Sequence, residues 1–181
     1  IFFGGGIVLY SLIPFIAAQG STSTSVVWLV LFYIIAMLIF SMYGGGFATI
    51  PAYLADLFGT KFVGGIHGRL LTAWSTAGVL GPLAITQLRE SSRRQALQEL
   101  TDKIDPTIFT EKFGSGPETL AELTRAKSVT LAKLLELAPA GTPDPTSSLY
   151  DSTLYLMAIL LFIALIANWL IRPVNPKYHL K

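Results

Sequence analysis

Two adjoining stretches decide the fold: Tyr43-Gly44-Gly45-Gly46-Phe47-Ala48-Thr49-Ile50-Pro51-Ala52-Tyr53-Leu54-Ala55-Asp56-Leu57-Phe58-Gly59, and Ile66-His67-Gly68-Arg69-Leu70-Leu71-Thr72-Ala73-Trp74-Ser75-Thr76-Ala77-Gly78-Val79-Leu80-Gly81-Pro82. The first reads as the end of an apolar helix and the second as a helix crowded with small residues, with Gly59 to Phe62 as the turn between them. Lipid gives helices no hydrophobic reason to associate, so a face of Gly, Ala, Ser and Thr is expected to let another helix approach closely. Gly64, Gly68, Thr72 and Thr76 form one such ridge at fourth-residue spacing, and Ala73, Ala77 and Gly81 a neighbouring one. Asp56, Lys61 and Arg69 gather around the turn, where water and headgroups can solvate them.

Working outward, composition points to a membrane. Of 181 residues, 52% are hydrophobic and only 13% charged, and Ile1 to Ala55 carries no charge at all. A soluble domain carries roughly 25% charge. The net charge of +2 is too small to argue for nucleic acid, and the absence of cysteine excludes disulfides and thiolate chemistry. The chain opens at Ile1 inside an apolar run with no basic segment before it, which is expected of a piece of a longer protein rather than of a signal peptide.

Four membrane spans are expected. Ile1 to about Ala18 is the first, followed by the polar turn Gln19 to Thr24. Val26 to Phe58 is too long for one straight span, since 33 residues make roughly 50 Å against an apolar core of about 30 Å. Gly44 to Gly46 and Pro51 are the places where it is expected to bend or unwind, with Thr49 to Phe58 extending into the interface. Val63 to Leu88 is the third span, bent at Gly81-Pro82, and Tyr150 to about Arg172 the fourth. Between them, Arg89 to Leu149 holds 8 of the 13 basic and 9 of the 11 acidic residues and is expected to lie in water. There Asp105-Pro106 reads as a helix cap followed by Pro at the first helical position, Ser115-Gly116-Pro117-Glu118 as a second helix start, and leucines recur at helical spacing from there to Pro139, so two or three short amphipathic helices are expected. Ala140 to Pro145 reads as a flexible linker.

Lys61, Arg69, Arg172, Lys177 and Lys181 put the short turn and the tail on the cytoplasmic side, and the polar insert outside. The localisation expected is a multi-pass integral membrane protein, in the plasma (inner) membrane, with a cytoplasmic C-terminus.

The two opening stretches, with the ending Ile171-Arg172-Pro173-Val174-Asn175-Pro176, resemble the C-terminal end of a major facilitator superfamily transporter, nearest the oxalate/formate antiporter branch. The resemblance covers the spans and not the insert. It implies an all-α fold in which these are the ninth to twelfth helices of twelve, completing a six-helix bundle, with membrane lipids and the missing N-terminal helices of the same protein as partners. It implies transport of small organic anions, coupled to a proton or a counter-anion, without cofactor, metal or covalent chemistry. The family's oxalate exchanger meets its substrate with a lysine in the eleventh helix. Val63 to Leu88 has none, so oxalate itself is not implied, and a cation for any carboxylate has to come from the absent helices.

The candidate residues fall into three groups. Tyr43, Trp74, Ser75 and Thr76 lie near mid-span, where transporter sites form, and could stack on or hydrogen-bond a small anion; packing would use them equally well. Asp56, Lys61, His67 and Arg69 form a gating group near the turn: Arg69 either reaches the interface, pairs with Asp56, or makes and breaks a gate contact, and His67 is either structural or part of proton coupling. Gly44, Gly45, Gly46, Pro51, Gly78, Gly81 and Pro82 are the hinge and packing group. His67 and His179 are too far separated to suggest a metal site. A stand-alone four-helix membrane scaffold whose outer insert binds a protein partner is the alternative, and a membrane-embedded enzyme a weaker one, lacking any nucleophile–base set.

Overall fold

The structure, a computed structural model, describes residues 1–175, so Lys177, His179 and Lys181 lie outside the described residues. All regular structure among the described residues is helical. Helix α1 (Phe2–Thr22) turns through three residues into α2 (Val26–Phe58), whose first turn is capped by the Ser25 hydroxyl accepting from the Val27 N–H. A 3-10 turn at Thr60–Phe62 leads into α3 (Val63–Thr101). Three short helices follow, α4 (Pro106–Phe113), α5 (Leu120–Arg125) and α6 (Leu131–Leu137), before α7 (Asp151–Leu170).

Three helices are long and apolar enough to cross a membrane: Phe2–Thr22, Val26–Phe58 and Pro145–Leu170. The third expected span, Val63 to Leu88, is helical throughout but is not one of these three. His67, Arg69 and a high content of glycine and hydroxyl residues dilute its apolar character.

The long helices alternate in direction. Phe15 meets Trp28 edge-on at 6.2 Å near the first turn, while Gly45 of α2 lies against the Phe2 ring at the other end of α1. Helix α7 runs antiparallel to α1. A Cβ on Gly6 would stand 2.8 Å from a methyl of Leu161, and Ile13, Ile16 and Ile35 form a small core that Leu154 packs against. The close approach expected of α3 is thus made by α1, through Gly6. On α3 a Cβ at Gly64, Gly68, Gly78 or Gly81 would meet nothing within 4 Å. The small-residue face exists, but among the described residues no helix covers it.

Three boundaries differ from expectation. Helix α1 continues to Thr22 rather than Ala18, because the Ser21 and Thr22 hydroxyls bond back to the Ala18 carbonyl and close a last helical turn. Helix α2 is unbroken through Gly44 to Gly46 and Pro51, so that region does not unwind. Helix α3 runs on past Leu88 to Thr101. Its polar extension is stabilised by fourth-residue pairs: Arg94 to Glu90 at 3.2 Å, Gln95 to Glu99 at 2.9 Å and Gln98 to Asp102 at 2.8 Å. At 39 residues α3 is roughly 58 Å long, about twice the apolar thickness of a bilayer.

That extension is the spine of a small lobe. Leu97 and Leu100 of α3 pack with Ile104, Phe109, Leu120, Val129 and Leu134, and Phe109, Val129 and Leu134 are 0% exposed. The Asp105 carboxylate caps α4 by accepting from the N–H and hydroxyl of Thr107, with Pro106 in the first turn as expected. The two or three short helices expected in the insert are three, and the stretch from Glu118 to Pro139 is divided into a 3-10 turn and two of them. Lys127 adopts the left-handed conformation (φ 57°) and the Ser128 N–H bonds the Leu123 carbonyl at 2.9 Å, closing α5 so that Val129 can turn into the core. The expected linker ends in order as well: Asp144 caps a 3-10 turn, Pro145–Ser148, that contacts α1. Arg89 stands 5.5 Å over the Tyr150 ring, tying α3 to the start of α7.

Hydrogen bonds from Arg94 hold the Glu90 carboxyl below its ordinary 4.5, and those from Thr107 hold Asp105 below 3.8. Each contribution is complete above the ordinary value and disappears as pH falls through the lower, folded one. Lobe stability, followed by amide exchange at Leu97 and Leu100, is therefore expected to hold from neutral pH to about 4.5 and to decline below it. Asp105→Asn, which caps without titrating, is expected to reduce that decline. Phe109→Ala is expected to cost about 3–5 kcal/mol and melt the lobe at every pH.

Candidate functional site

The candidate mid-span residues come together around an aromatic side chain. Phe47, one helical turn after Tyr43 on α2, contacts both rings: Tyr43 at 5.7 Å and Trp74 of α3 at 5.3 Å, the latter edge to face. Tyr43 is 59% and Trp74 54% exposed, so among the described residues no other helix covers them. The sequence reading missed Phe47. Its signal was the spacing of four from Tyr43, which puts both rings on one face of α2.

Beside this cluster the hydroxyls are bonded to their own helices. Ser75 donates to the Leu71 carbonyl at 3.0 Å, Thr76 to Thr72 at 2.9 Å, and Thr72 to Arg69 at 2.6 Å. Such back-bonding is how a hydroxyl is satisfied in lipid, and the oxygen keeps a lone pair for a ligand. On α2, Thr49 donates toward the Gly45 and Gly46 carbonyls at 3.1 and 3.0 Å, just before Pro51 removes an N–H from the ladder. Thr86 does the same for Pro82 at 2.8 Å on α3.

The gating group is not drawn into one network. Among the described residues Asp56 and Arg69 form no ion pair with each other. Lys61 lies 5.9 Å from the centre of the adjacent Phe62 ring. The His67 Nδ1 is shielded from solvent without a hydrogen-bond partner among the described residues. What does join this end is a pair the sequence reading passed over: the Asn168 amide of α7 donates to the Tyr53 hydroxyl of α2 at 3.0 Å. The Val174 N–H beyond α7 donates to the Leu57 carbonyl at 2.9 Å.

No protein-family model, curated protein or solved structure matches this chain. Its chemistry is therefore argued from geometry alone. Two uncovered aromatic faces, a phenol and helix-bonded hydroxyls can stack on and hydrogen-bond a small planar molecule. No cation lies beside the aromatic cluster on these helices; Arg69 is more than one turn away along α3. Among the described residues no group of three His, Asp or Glu side chains could hold a metal.

The glycines divide by their surroundings, and stability is expected to divide with them. Gly6→Ala forces the Leu161 methyl to move and is expected to lower the melting temperature of the purified protein in lipid nanodiscs. Gly46→Ala and Gly78→Ala meet open space and are expected to raise it, since Ala favours a helix interior over Gly by up to about 1 kcal/mol. Fluorimetric melting of the three variants checks the division.

Proposed function

We propose that this chain is part of a secondary active transporter that moves small organic anions, mono- or dicarboxylates such as formate, lactate, pyruvate or oxalate, by alternating access. The observation that carries the reading is the uncovered Tyr43–Phe47–Trp74 cluster at mid-span on a helical hairpin whose glycines, apart from Gly45, face open space. A hairpin of that kind presents recognition groups and a smooth surface toward helices that are not part of this chain. Those helices would complete a twelve-helix bundle and supply the cation for the substrate carboxylate. The hairpin would supply the stacking surface and the bend, with Gly44 to Gly46, Pro51, Gly78 and Gly81-Pro82 as its hinge positions and Asp56, Lys61, His67 and Arg69 at its cytoplasmic gate.

The chain would then be a multi-pass plasma (inner) membrane protein with the 60–69 turn and the C-terminus in the cytoplasm and the lobe outside. It would exchange anions or couple them to protons, with no covalent step.

A second reading draws on the lobe's self-contained core: a membrane scaffold that presents the lobe to a protein partner. Flux separates the two. The full-length protein in liposomes is expected to take up labelled formate, lactate, pyruvate or oxalate under a proton or counter-anion gradient. Trp74→Ala is expected to reduce that uptake at least about tenfold, from the loss of one stacking contact. Uptake of none of the four anions by the unaltered protein would leave the scaffold as the standing reading.

A further inference from the structure

The segment of α2 after Pro51 is held from one side by α7 and the residues that follow it. Pro51 has no N–H, so the Phe47 carbonyl has no donor one turn ahead, and α2 bends there at least cost. Beyond this point α2 carries Tyr53, whose hydroxyl accepts from the Asn168 amide at 3.0 Å across 115 positions of sequence. It also carries Leu54 and Leu57, 4% and 8% exposed, among the few buried side chains of the spans. Leu57 presents one of the last α2 carbonyls, which a helix leaves without an internal donor. The Val174 N–H supplies that donor at 2.9 Å.

These contacts share a geometry. Both hydrogen bonds run from α7 and its continuation to the same short piece of α2, and that piece leads directly into the turn and α3. Residues 171–174 have left the helix, so they act as a short strap from the end of α7 to the end of α2. Asn168 is an amide in an otherwise apolar helix end. Its bond to Tyr53 is the side-chain hydrogen bond that ties this end of α7 to α2.

We propose that Asn168, Tyr53 and the 171–174 strap form a latch that holds the 52–58 segment of α2 in one of two positions, pivoting at Pro51. Release of both bonds frees the α2–α3 turn. The proposal rests on the transport reading for its purpose, because the two positions correspond to the closed and open states of the cytoplasmic end. Its geometry stands apart from that reading and can be measured apart from it.

The experiment has two arms on the full-length protein in lipid nanodiscs and liposomes. In the first, amide exchange is measured at Val174. The amide is expected to be protected in the unaltered protein, and Tyr53→Phe or Asn168→Ala is expected to speed its exchange about tenfold, with the double variant adding little more because one latch is being opened. A Val174 amide that exchanges freely in the unaltered protein, or whose rate ignores both substitutions, would overturn the latch.

The second arm uses the absence of cysteine from these 181 residues: Leu57→Cys with Val174→Cys, with any cysteine elsewhere in the full-length protein replaced by serine, is oxidised to close the strap. Cross-linked protein is expected to lose anion flux and to regain it on reduction, while each single variant keeps its flux through the oxidation. Unchanged flux with the strap fully cross-linked would overturn the two-position device. If the unaltered protein carries no flux, the transport reading has failed, and the latch is judged by the exchange arm alone.

Discussion

Everything in this chain depends on α3 remaining one helix from the small-residue stretch beside α2 into the lobe. The two parts are stabilised differently. Along residues 63–88 the backbone ladder is self-contained, and the Thr72, Ser75, Thr76 and Thr86 hydroxyls bond back to the same helix. Pro82 removes one N–H from this ladder, yet the helix continues on the far side, where Thr86 bonds the Pro82 carbonyl. Beyond Arg89 water competes for every backbone bond. There the helix depends on fourth-residue pairs on its exposed face and on Leu97 and Leu100 buried on the other. The lobe's core is therefore partly made of α3 itself. The lobe cannot turn or separate without moving the helix that carries Trp74.

How much of this was legible follows from which forces act locally. The extent of α2, the Asp105-Pro106 cap and the apolar body of α7 are local, and the sequence reading placed them. The end of α3 was also local but misread, because charge at Arg89 was taken as the end of a helix when it marked only a change in the helix's composition. Glu90 with Arg94, Gln95 with Glu99 and Gln98 with Asp102 were the available signal. The break at Lys127 had no such signal: no Gly or Pro stands there, and the demand comes from Val129, whose place in the core depends on α3 and α4. At the site, Tyr43 and Trp74 do share a cluster, through a Phe47 that spacing could have found. Tyr53 and Asn168 could not have been paired by spacing, since nothing local relates residues 115 apart. The glycine patterns were legible as capacity only. Gly6 makes a close approach and the α3 ridges make none, and what decides between them is which neighbour is present.

The two ends of the helix set are joined by different physics. At the lobe end, water is available, so apolar side chains have a reason to bury, and the tie is a packed core with Arg89 over Tyr150 beside it. Packing of that kind has one good arrangement and resists small displacement. At the turn end the span helices are surrounded by their own apolar side chains and gain little by further burial. The ties there are two hydrogen bonds between α2 and the end of α7. A hydrogen bond is directional and short-ranged, so a modest swing of one partner breaks it completely, and a second position can supply another partner. A chain with a packed core at one end and exchangeable bonds at the other has its rigid and its adjustable parts already assigned. On the transport reading proposed above, the change of shape is assigned to the turn end, with Pro51 as its pivot.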